Sequence, residues 1–210
     1  MSVEPAPVES LIGESYALGR VFCGRTGPGD EFVDVDLEEC RFEDAVMERS
    51  VWRRCAFDGC VFDRVNLSMA TFVDVRFADC TIRESKAQAV NWTRARAGGL
   101  AQQAITFERC RLDYGTFIGL DLRGMRFVGC SLVDADFTES DCRGVEFIDC
   151  DLSGARFHGA DLRGAGCFDV RGLALDVREA RTLGLRVDAG AALEIVHALG
   201  IEIVETPPTE

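Results

Sequence analysis

The chain lacks several features that would place it in a common functional class. No apolar run approaches the roughly 18 residues of a membrane-spanning helix, and residues 1–10 are acidic and proline-bearing without a signal-peptide pattern. Its two histidines, His158 and His197, have no nucleophile or metal-ligand pattern beside them, and no glycine-rich phosphate loop is present. We therefore expect a cytoplasmic protein with no membrane contact, no cofactor and no enzymatic activity.

The ten cysteines form no C-x-x-C pair. Seven of them stand at a recurring position where the other residues are small, and Cys142 and Cys167 stand where the others are large and apolar. Free cysteine behaves as a small buried hydrophobe, so this spacing favours core positions over a metal or redox site. Oxidation could join Cys60 to Cys80, but a reducing compartment would keep them apart.

An apolar residue recurs at every fifth position from Phe32 to Leu162, and Gln102 alone breaks the series. A helix repeats at 3.6 residues and a strand at 2, so a period of five fits neither. A short fixed period is typical of a solenoid, whose units bury their apolar faces against stacked neighbours. The residue two places earlier is mostly small and the other three are mostly polar, so each unit turns one corner.

Longer periods indicate how many corners close one coil. Cysteine recurs at intervals of twenty, at Cys40, Cys60 and Cys80 and again at Cys110, Cys130 and Cys150. Twenty residues divided by five gives four sides. From Phe107 to Leu162 the large position alternates Phe with Leu or Cys, which places Phe on one opposed pair of faces. The 27 units from Phe32 to Leu162 predict nearly seven coils, a rod about 33 Å long at 4.8 Å per coil.

The pattern divides the chain into four segments. Residues 1–30 form a loosely patterned lead-in, and residues 31–187 form the β-helix, with an irregular corner or projecting loop at 94–106 where Gly98 and Gly99 invite a turn. Residues 188–204 form a helix followed by a short strand, and residues 205–210 form a tail.

The segment 188–204 is expected to cap the open end of the solenoid and to bind a second copy. Asp188 suits a helix N-cap, Gly200 suits its stop, and residues 201–204 alternate like a strand. The candidate dimerisation residues are Ala192, Leu193, Ile195, Val196, Leu199, Ile201 and Ile203.

The net charge of −13 predicts a basic partner, because such a surface repels nucleic acid and membranes. Residues 121–169 hold ten acids against five arginines, whereas residues 49–111 hold eleven bases and six acids. The candidate partner-binding residues are Asp121, Asp134, Asp136, Glu139, Asp141, Asp151 and Asp161.

Asp121, Asp141 and Asp161 repeat at twenty and would stack in adjacent coils. Stacked like charges are unfavourable, so either backbone N–H groups satisfy this column or a basic partner uses it. The alternative interpretation is that outward acids only solvate the rod and block edge association.

Two units, Ala135–Glu139 and Ala160–Gly164, match the pattern A-[D/N]-[L/F]-x-x and resemble the pentapeptide repeat. Within that superfamily the chain resembles the gyrase-protecting proteins: the Qnr-type quinolone-resistance proteins, their mycobacterial relative and the immunity proteins of gyrase-poison producers. Residues 91–93, 107–110 and 135–142 are similar to albicidin-resistance proteins. The resemblance implies an all-β, right-handed quadrilateral β-helix with a C-terminal α-helical cap. It also implies a dimer joined through the C-termini and a rod that imitates duplex DNA and binds DNA gyrase.

The leading functional hypothesis is therefore a non-enzymatic DNA mimic that protects gyrase, a type II topoisomerase, from a quinolone or a natural poison, as resistance or self-immunity. The first alternative is an acidic scaffold for another basic protein, with no gyrase contact. The second is a metal or redox protein that uses its cysteines.

Overall fold

A computed structural model describes residues 4–95 and 105–204 and shows a parallel β-helix. Short strands pair in parallel with strands twenty residues away, so that Phe42 lies beside Phe62 and Phe62 beside Ile82. The predicted right-handed quadrilateral β-helix with a C-terminal helix is confirmed, and the coil makes about nine turns.

The regular elements are short and evenly spaced. The strands are β1 (Ala6–Pro7), β2 (Tyr16–Leu18), β3 (Val21–Cys23), β4 (Glu31–Val33), β5 (Asp36–Glu38), β6 (Arg41–Glu43), β7 (Val51–Arg53), β8 (Ala56–Asp58), β9 (Val61–Asp63), β10 (Thr71–Val73), β11 (Arg76–Ala78), β12 (Thr81–Arg83), β13 (Thr106–Glu108), β14 (Arg126–Val128), β15 (Glu146–Ile148), β16 (Gly166–Phe168) and β17 (Arg186–Val187). Two 3-10 turns, Val8–Leu11 and Trp92–Arg94, and one helix, α1 (Ala189–Ala198), complete the described secondary structure.

The four faces of the coil are numbered in chain order. The first face is a ten-stranded sheet, β1-β3-β6-β9-β12-β13-β14-β15-β16-β17. The second face is joined by isolated bridges such as Val46 to Asn66. The third face contains the sheet β10-β7-β4 and the fourth contains β11-β8-β5-β2, and both continue toward the C-terminus as isolated bridges.

Most corners depend on a residue with a left-handed backbone, two places after the inward side chain. On sides without a strand this residue sits in a turn closed by a backbone bond, as where the Met125 N–H donates to the Leu122 carbonyl at 3.0 Å across Gly124 (φ 70°). A type II turn requires positive φ at that position and therefore favours glycine. One of the three outward residues of each five-residue unit is thus the residue that forms the corner.

Aromatic rings fill the core of the first and third faces, as the alternation of Phe with Leu predicts. Phe127 is fully buried and stacks on Phe107 at 5.3 Å and on Phe147 at 5.2 Å between ring centroids. It meets Phe137 of the third face edge-on at 6.2 Å. Offset stacks and edge contacts are both favourable geometries for aromatic rings, so the core from Phe107 to Phe157 is a double column of rings. Nearer the N-terminus Ile82 interrupts the column of the first face, and Phe57 and Phe77 place stacked rings on the fourth face.

The cysteines occupy the core positions that their spacing predicts. All ten are free thiols, nine are buried, and Cys23 is half-buried. The Cys60 thiol donates to the Leu37 carbonyl at 3.4 Å, and other small-position cysteines bond in the same way. Burial raises the pKa of Cys142 to about 12, which suppresses the reactive thiolate.

The coil begins earlier than the boundary placed at residue 31. β1 already pairs with β3, and Ala17 and Phe22 are buried in the five-residue phase. The phase fails one step before them, because Leu11 in the first 3-10 turn is buried in place of the exposed Ile12. Ten strands on the first face give a rod about 43 Å long at 4.8 Å per spacing, which exceeds the 33 Å predicted from the clean repeat.

Five additional residues enter the coil between the regular halves. Thr81 pairs with Thr106, and the bridge from Lys86 reaches Arg111, so the interval between stacked residues is 25 instead of 20. The irregular corner or loop predicted at 94–106 falls largely on residues 96–104, which lie outside the described residues. The inward and outward positions before and after this insertion remain in the same phase, because the five added residues equal one repeat unit.

Helix α1 covers the C-terminal end of the rod. The Asp188 carboxylate accepts the Ala191 N–H at 2.8 Å, as expected of an N-cap, and Gly200 (φ 74°) follows the last turn. Ala191 is fully buried, and Ile195 packs against the core. No helix in residues 4–95 or 105–204 is long and apolar enough to cross a membrane.

The short strand predicted at 201–204 is not formed. These residues are exposed, and none of the described strands pairs with them. A strand requires hydrogen bonds from a neighbouring strand, so an alternating sequence at the end of the chain is insufficient by itself.

Candidate partner-binding surface

The seven acids predicted to bind a partner are spread over three faces and two corners. Asp121, Asp141 and Asp161 stack in consecutive coils of the fourth face. Asp136 lies on the third face, and Asp151 lies on the second. Asp134 (φ 55°) and Glu139 (φ 57°) stand at the corners that bound the third face. The structure therefore brings three of the seven side chains into one column and separates the others.

The stacked aspartates are held by arginines two residues later. The Arg163 guanidinium donates to Asp161 through Nε to Oδ1 at 2.8 Å and through Nη2 to Oδ2 at 2.6 Å. The Arg163 backbone N–H also lies 3.3 Å from Oδ1. The other two coils repeat this geometry, at Asp121 with Arg123 and at Asp141 with Arg143.

Backbone N–H groups thus contribute to the column, as one of the two explanations of the stacked charges requires. The bidentate guanidinium contact is the stronger part, and our reasoning from the sequence missed it. The signal was present as the repeated D-x-R at 121–123, 141–143 and 161–163. The C-terminal half of the fourth face consequently alternates negative and positive charge instead of presenting open acid.

These contacts predict that stability declines in acid. Hydrogen bonds from Arg123, Arg143 and Arg163 hold the pKa values of the three aspartates below their ordinary value. A lowered folded-state pKa contributes stability that is present above the unfolded pKa, about 3.9, and is lost as pH falls through the folded pKa. We expect the thermal midpoint to be steady from pH 7 to 5 and to fall below about pH 4.

The control for the acid effect is a variant with Arg123, Arg143 and Arg163 replaced by Gln. Its midpoint should be lower at pH 7 and should fall less between pH 5 and pH 2, because the aspartates no longer gain from ionisation in the folded state. Parallel curves for the two proteins would contradict this assignment.

Two further candidates are paired across coils. Asp136 contacts Arg156 at 2.6 Å, and Asp151 contacts Arg171 at 2.9 Å. Burial raises the pKa of Asp136, but hydrogen bonds from Thr138 and Arg156 outweigh it, and the net pKa is lowered. Five of the seven candidate acids are therefore already in ion pairs.

Asp134 and Glu139 are the candidates that remain exposed with no ion pair among the described residues. Asp149 and Asp169 were not selected from the sequence. They also have no ion pair among the described residues, and they stand at the corner between the first and second faces. With Asp151 they line an open depression of about 390 Å³. The interval of twenty residues between Asp149 and Asp169 could have shown from the sequence that they stack in neighbouring coils.

The N-terminal end of the rod is openly acidic. On the fourth face, outward Asp36 and Glu38 precede the corner residue Glu39, and Asp79 stands two coils further along that corner. None of these four carboxylates has an ion pair in the described ranges; Glu38 accepts the Tyr16 hydroxyl at 3.0 Å. Open acid on this face is thus concentrated at its N-terminal end, since Asp58 already pairs with Arg76 at 3.6 Å and the C-terminal half carries paired charge.

The candidate dimerisation residues separate into two groups. Leu193, Ile201 and Ile203 are exposed. Ile195 packs against the core, and Ala192, Val196 and Leu199 are half-buried. Val204 and Leu183, the latter 83% exposed, enlarge the apolar surface at this end. Singly scattered apolar residues are normal on a protein surface, but a group of this size at one end indicates an interaction surface.

Metal binding receives no support from the geometry. Within residues 4–95 and 105–204 no group of three or more His, Cys, Asp or Glu side chains could hold an ion. His158 instead pairs with Glu179 at 3.0 Å, and that hydrogen bond raises the pKa of the imidazole.

The fold and its surface define a charged parallel β-solenoid with a helical cap. A family model described as a pentapeptide repeat region matches residues 30–114, and another described as pentapeptide repeats (8 copies) matches residues 130–165. The chain belongs to the pentapeptide-repeat family.

Solved structures of QnrB1, described as a plasmid-mediated fluoroquinolone resistance protein, have a similar fold. One trypsin-treated variant is 19% identical with a TM-score of 0.63, and the match covers 98% of this chain and 100% of that chain. A second is 18% identical with a TM-score of 0.52, covering 90% and 97%. At these identities the likeness shows the fold. No curated protein sequence matches the chain.

Proposed function

We propose that this protein is a non-enzymatic mimic of duplex DNA that binds DNA gyrase and protects it from a quinolone or a natural poison. The charge density of the rod carries the proposal. A net charge of −13 over about 43 Å gives roughly one negative charge per 3.3 Å. Duplex DNA carries about one per 1.7 Å of helix axis. The rod therefore has about half the charge density of DNA on a rigid scaffold.

The proposed mechanism is competition for the basic surface on which gyrase holds DNA. The unpaired carboxylates Asp134, Glu139, Asp149 and Asp169 project from corners, where a basic groove would reach them first. Occupation of that groove would displace DNA or loosen the poison-stabilised complex. The similarity to QnrB1 over nearly the whole chain supports this choice of partner.

The direct test is a gyrase supercoiling and DNA-cleavage assay with a fluoroquinolone. We expect the protein to reduce drug-stabilised cleavage and to compete with duplex DNA for gyrase. Binding should weaken as salt rises, because exposed charges are screened over about 8 Å at physiological ionic strength. A protein that neither binds gyrase nor changes cleavage at any salt would overturn the proposal.

We also propose a homodimer through the C-terminal segment, supported by the apolar surface around Leu193, Ile201 and Ile203. Leu193→Asp should yield monomers in sedimentation velocity, because it places a charge in that surface. Leu18→Asp, at a comparably exposed leucine of the opposite end, is the matched control and should remain dimeric.

Deletion of residues 188–210, or the substitutions Val196→Asp and Leu199→Asp, should also disrupt the dimer, although these half-buried sites contribute to the fold. An intact chain that sediments as a monomer would reject this interface.

The alternative is a scaffold for another basic protein. The ion pairing of five candidate acids favours it, because paired carboxylates make the rod less like DNA and a scaffold does not require that likeness. The gyrase assay separates the two proposals, since a scaffold would leave supercoiling and cleavage unchanged.

A further inference from the structure

The corner between the second and third faces carries exposed apolar side chains on a strained backbone. Seventeen non-glycine residues of the described ranges have positive φ, and all are charged except Met69 (57°), Ala89 (53°) and Tyr114 (60°). These three stand in this one corner. Met69 is 40% exposed and Tyr114 is 60% exposed, so core packing does not explain them. Bulky residues are unusual in this backbone region, and retained strain suggests a functional contact.

The corner contributes one residue from each successive coil. Backbone hydrogen bonds between neighbouring coils fix this order, as where the Arg49 N–H donates to Ser68 O and the Tyr114 N–H donates to Val133 O. From the N-terminal end the column contains Gly29, Arg49, Met69, Ala89, Tyr114, Asp134 and Gly154.

This order is self-complementary when it is reversed about Ala89. Reversal sets Arg49 against Asp134 and Met69 against Tyr114. Ala89, a small residue, meets its own copy at the centre. Arginine with aspartate and methionine with an aromatic ring are both favourable contacts.

The adjoining third face has the same symmetry. Its outward residues in the three central coils are Thr71, Val73, Asn91, Thr93, Thr116 and Ile118. Reversal sets Thr71 against Thr116 and Val73 against Ile118, while the central coil faces itself. None of the six is charged, in a chain with 28% charged residues, so two acidic rods can approach here with little repulsion.

We propose that two copies of this chain associate side by side and antiparallel through this surface, with a two-fold axis at Ala89. An isologous contact requires that residue i meet j whenever j meets i, and the column satisfies this condition at every step. Arg49 is available, since its contact with Glu48 is long at 3.9 Å, and Asp134 has no ion pair in the described ranges. This association requires neither the C-terminal dimer nor gyrase, and because it engages Asp134 it would compete with gyrase for that carboxylate.

The contact is short. Four coil spacings from Arg49 to Asp134 span about 19 Å, which is below the size of a typical stable interface. The association is therefore weak and depends on protein concentration, and a covalent trap is the appropriate measurement.

The trap is Ala89→Cys in the full-length protein, treated with a short bis-maleimide. It should give a covalent dimer, because each introduced thiol lies beside its own copy. The control is Asp79→Cys, at the diagonally opposite corner with a similar φ of 50°. The unmodified chain, in which nine cysteines are buried and Cys23 is half-buried, provides the background. Equal yields at positions 79 and 89 would overturn the proposal.

Charge reversal in the Ala89→Cys background tests the orientation. Arg49→Asp or Asp134→Arg alone should lower the dimer yield about tenfold, because each creates a like-charge pair on both sides of the axis. The two changes together should restore it. Failure of the double variant to recover, while its thermal midpoint matches that of the single variants, would exclude the antiparallel register.

Tyr114→Asn separates loss of association from loss of folding. Asparagine tolerates positive φ better than tyrosine, so the variant should keep or raise the thermal midpoint while the dimer yield falls. An unchanged yield would show that the apolar corner does not carry the contact.

Discussion

Replacement of Phe127 by alanine is expected to lower the free energy of unfolding by about 3–5 kcal/mol. Phe127 is fully buried, stacks on Phe107 and Phe147, and meets Phe117 and Phe137 edge-on. Alanine would remove all four ring contacts and leave a cavity that parallel strands on both sides keep from closing. Chemical denaturation followed by far-UV circular dichroism measures the loss, and Phe137→Ala should behave alike.

Phe168→Ala is the matched control. Phe168 points outward from β16, is half-buried, and has the Arg186 guanidinium 5.7 Å from its ring centroid. Its loss should cost about 1 kcal/mol, as for an exposed cation–π contact. Similar costs for the two variants would contradict the description of the core, and a predominantly helical spectrum of the unmodified protein would contradict the fold.

The destabilisation caused by Phe127→Ala should also spread along the rod. Each coil is stabilised mainly by its neighbours, so amide exchange should accelerate in the coils of Phe107 and Phe147 before it changes near Phe42. A global, uniform acceleration would indicate that the rod unfolds as one cooperative unit.

The five-residue period was sufficient to predict the architecture because one inward residue per side determines which chain segments stack. It placed Phe127, Cys60 and Leu162 in the core, where the structure has them. The five-residue pattern no longer applies where stacking ends, and the strand predicted there was wrong. Leu11 replaces Ile12 inside because a 3-10 turn, with a different period, closes the first coil. The strand predicted at 201–204 finds no partner among the strands that the structure describes.

The outward surface was less predictable than the core. Corner and face positions are both polar in the sequence, yet their side chains meet different neighbours in space. Asp161 is bound by Arg163 of its own coil, Asp136 by Arg156 of the next coil, and Asp134 by no ionic partner among the described residues. Counting acids along the chain therefore showed where the negative charge lies, but not which carboxylates lack an ionic partner.

Replacement of Asp136, Asp141 and Asp161 by asparagine is expected to abolish protection of gyrase. Each change removes a negative charge and frees a guanidinium, of Arg156, Arg143 or Arg163, that the carboxylate had held. The net charge of residues 121–169 would fall from −5 to −2, and the freed guanidinium groups would oppose a basic groove. Drug-stabilised cleavage by gyrase is the measurement, and a cooperative unfolding transition with a β-rich spectrum shows that the variant still folds.

The matched control separates the position of the charge from its amount. Asp34→Asn, Asp44→Asn and Glu84→Gln remove three carboxylates that pair with Arg54, Arg64 and Arg109 in the N-terminal half. Both triple variants carry the same net charge, and each loses three carboxylate–arginine ion pairs. If the acidic C-terminal half contacts gyrase, the control keeps most of its protection, as should Arg53→Ala and Arg54→Ala. Equal losses in the two triple variants would mean that total charge drives binding, and a greater loss in the control would move the contact to the openly acidic N-terminal end around Asp36 and Glu39.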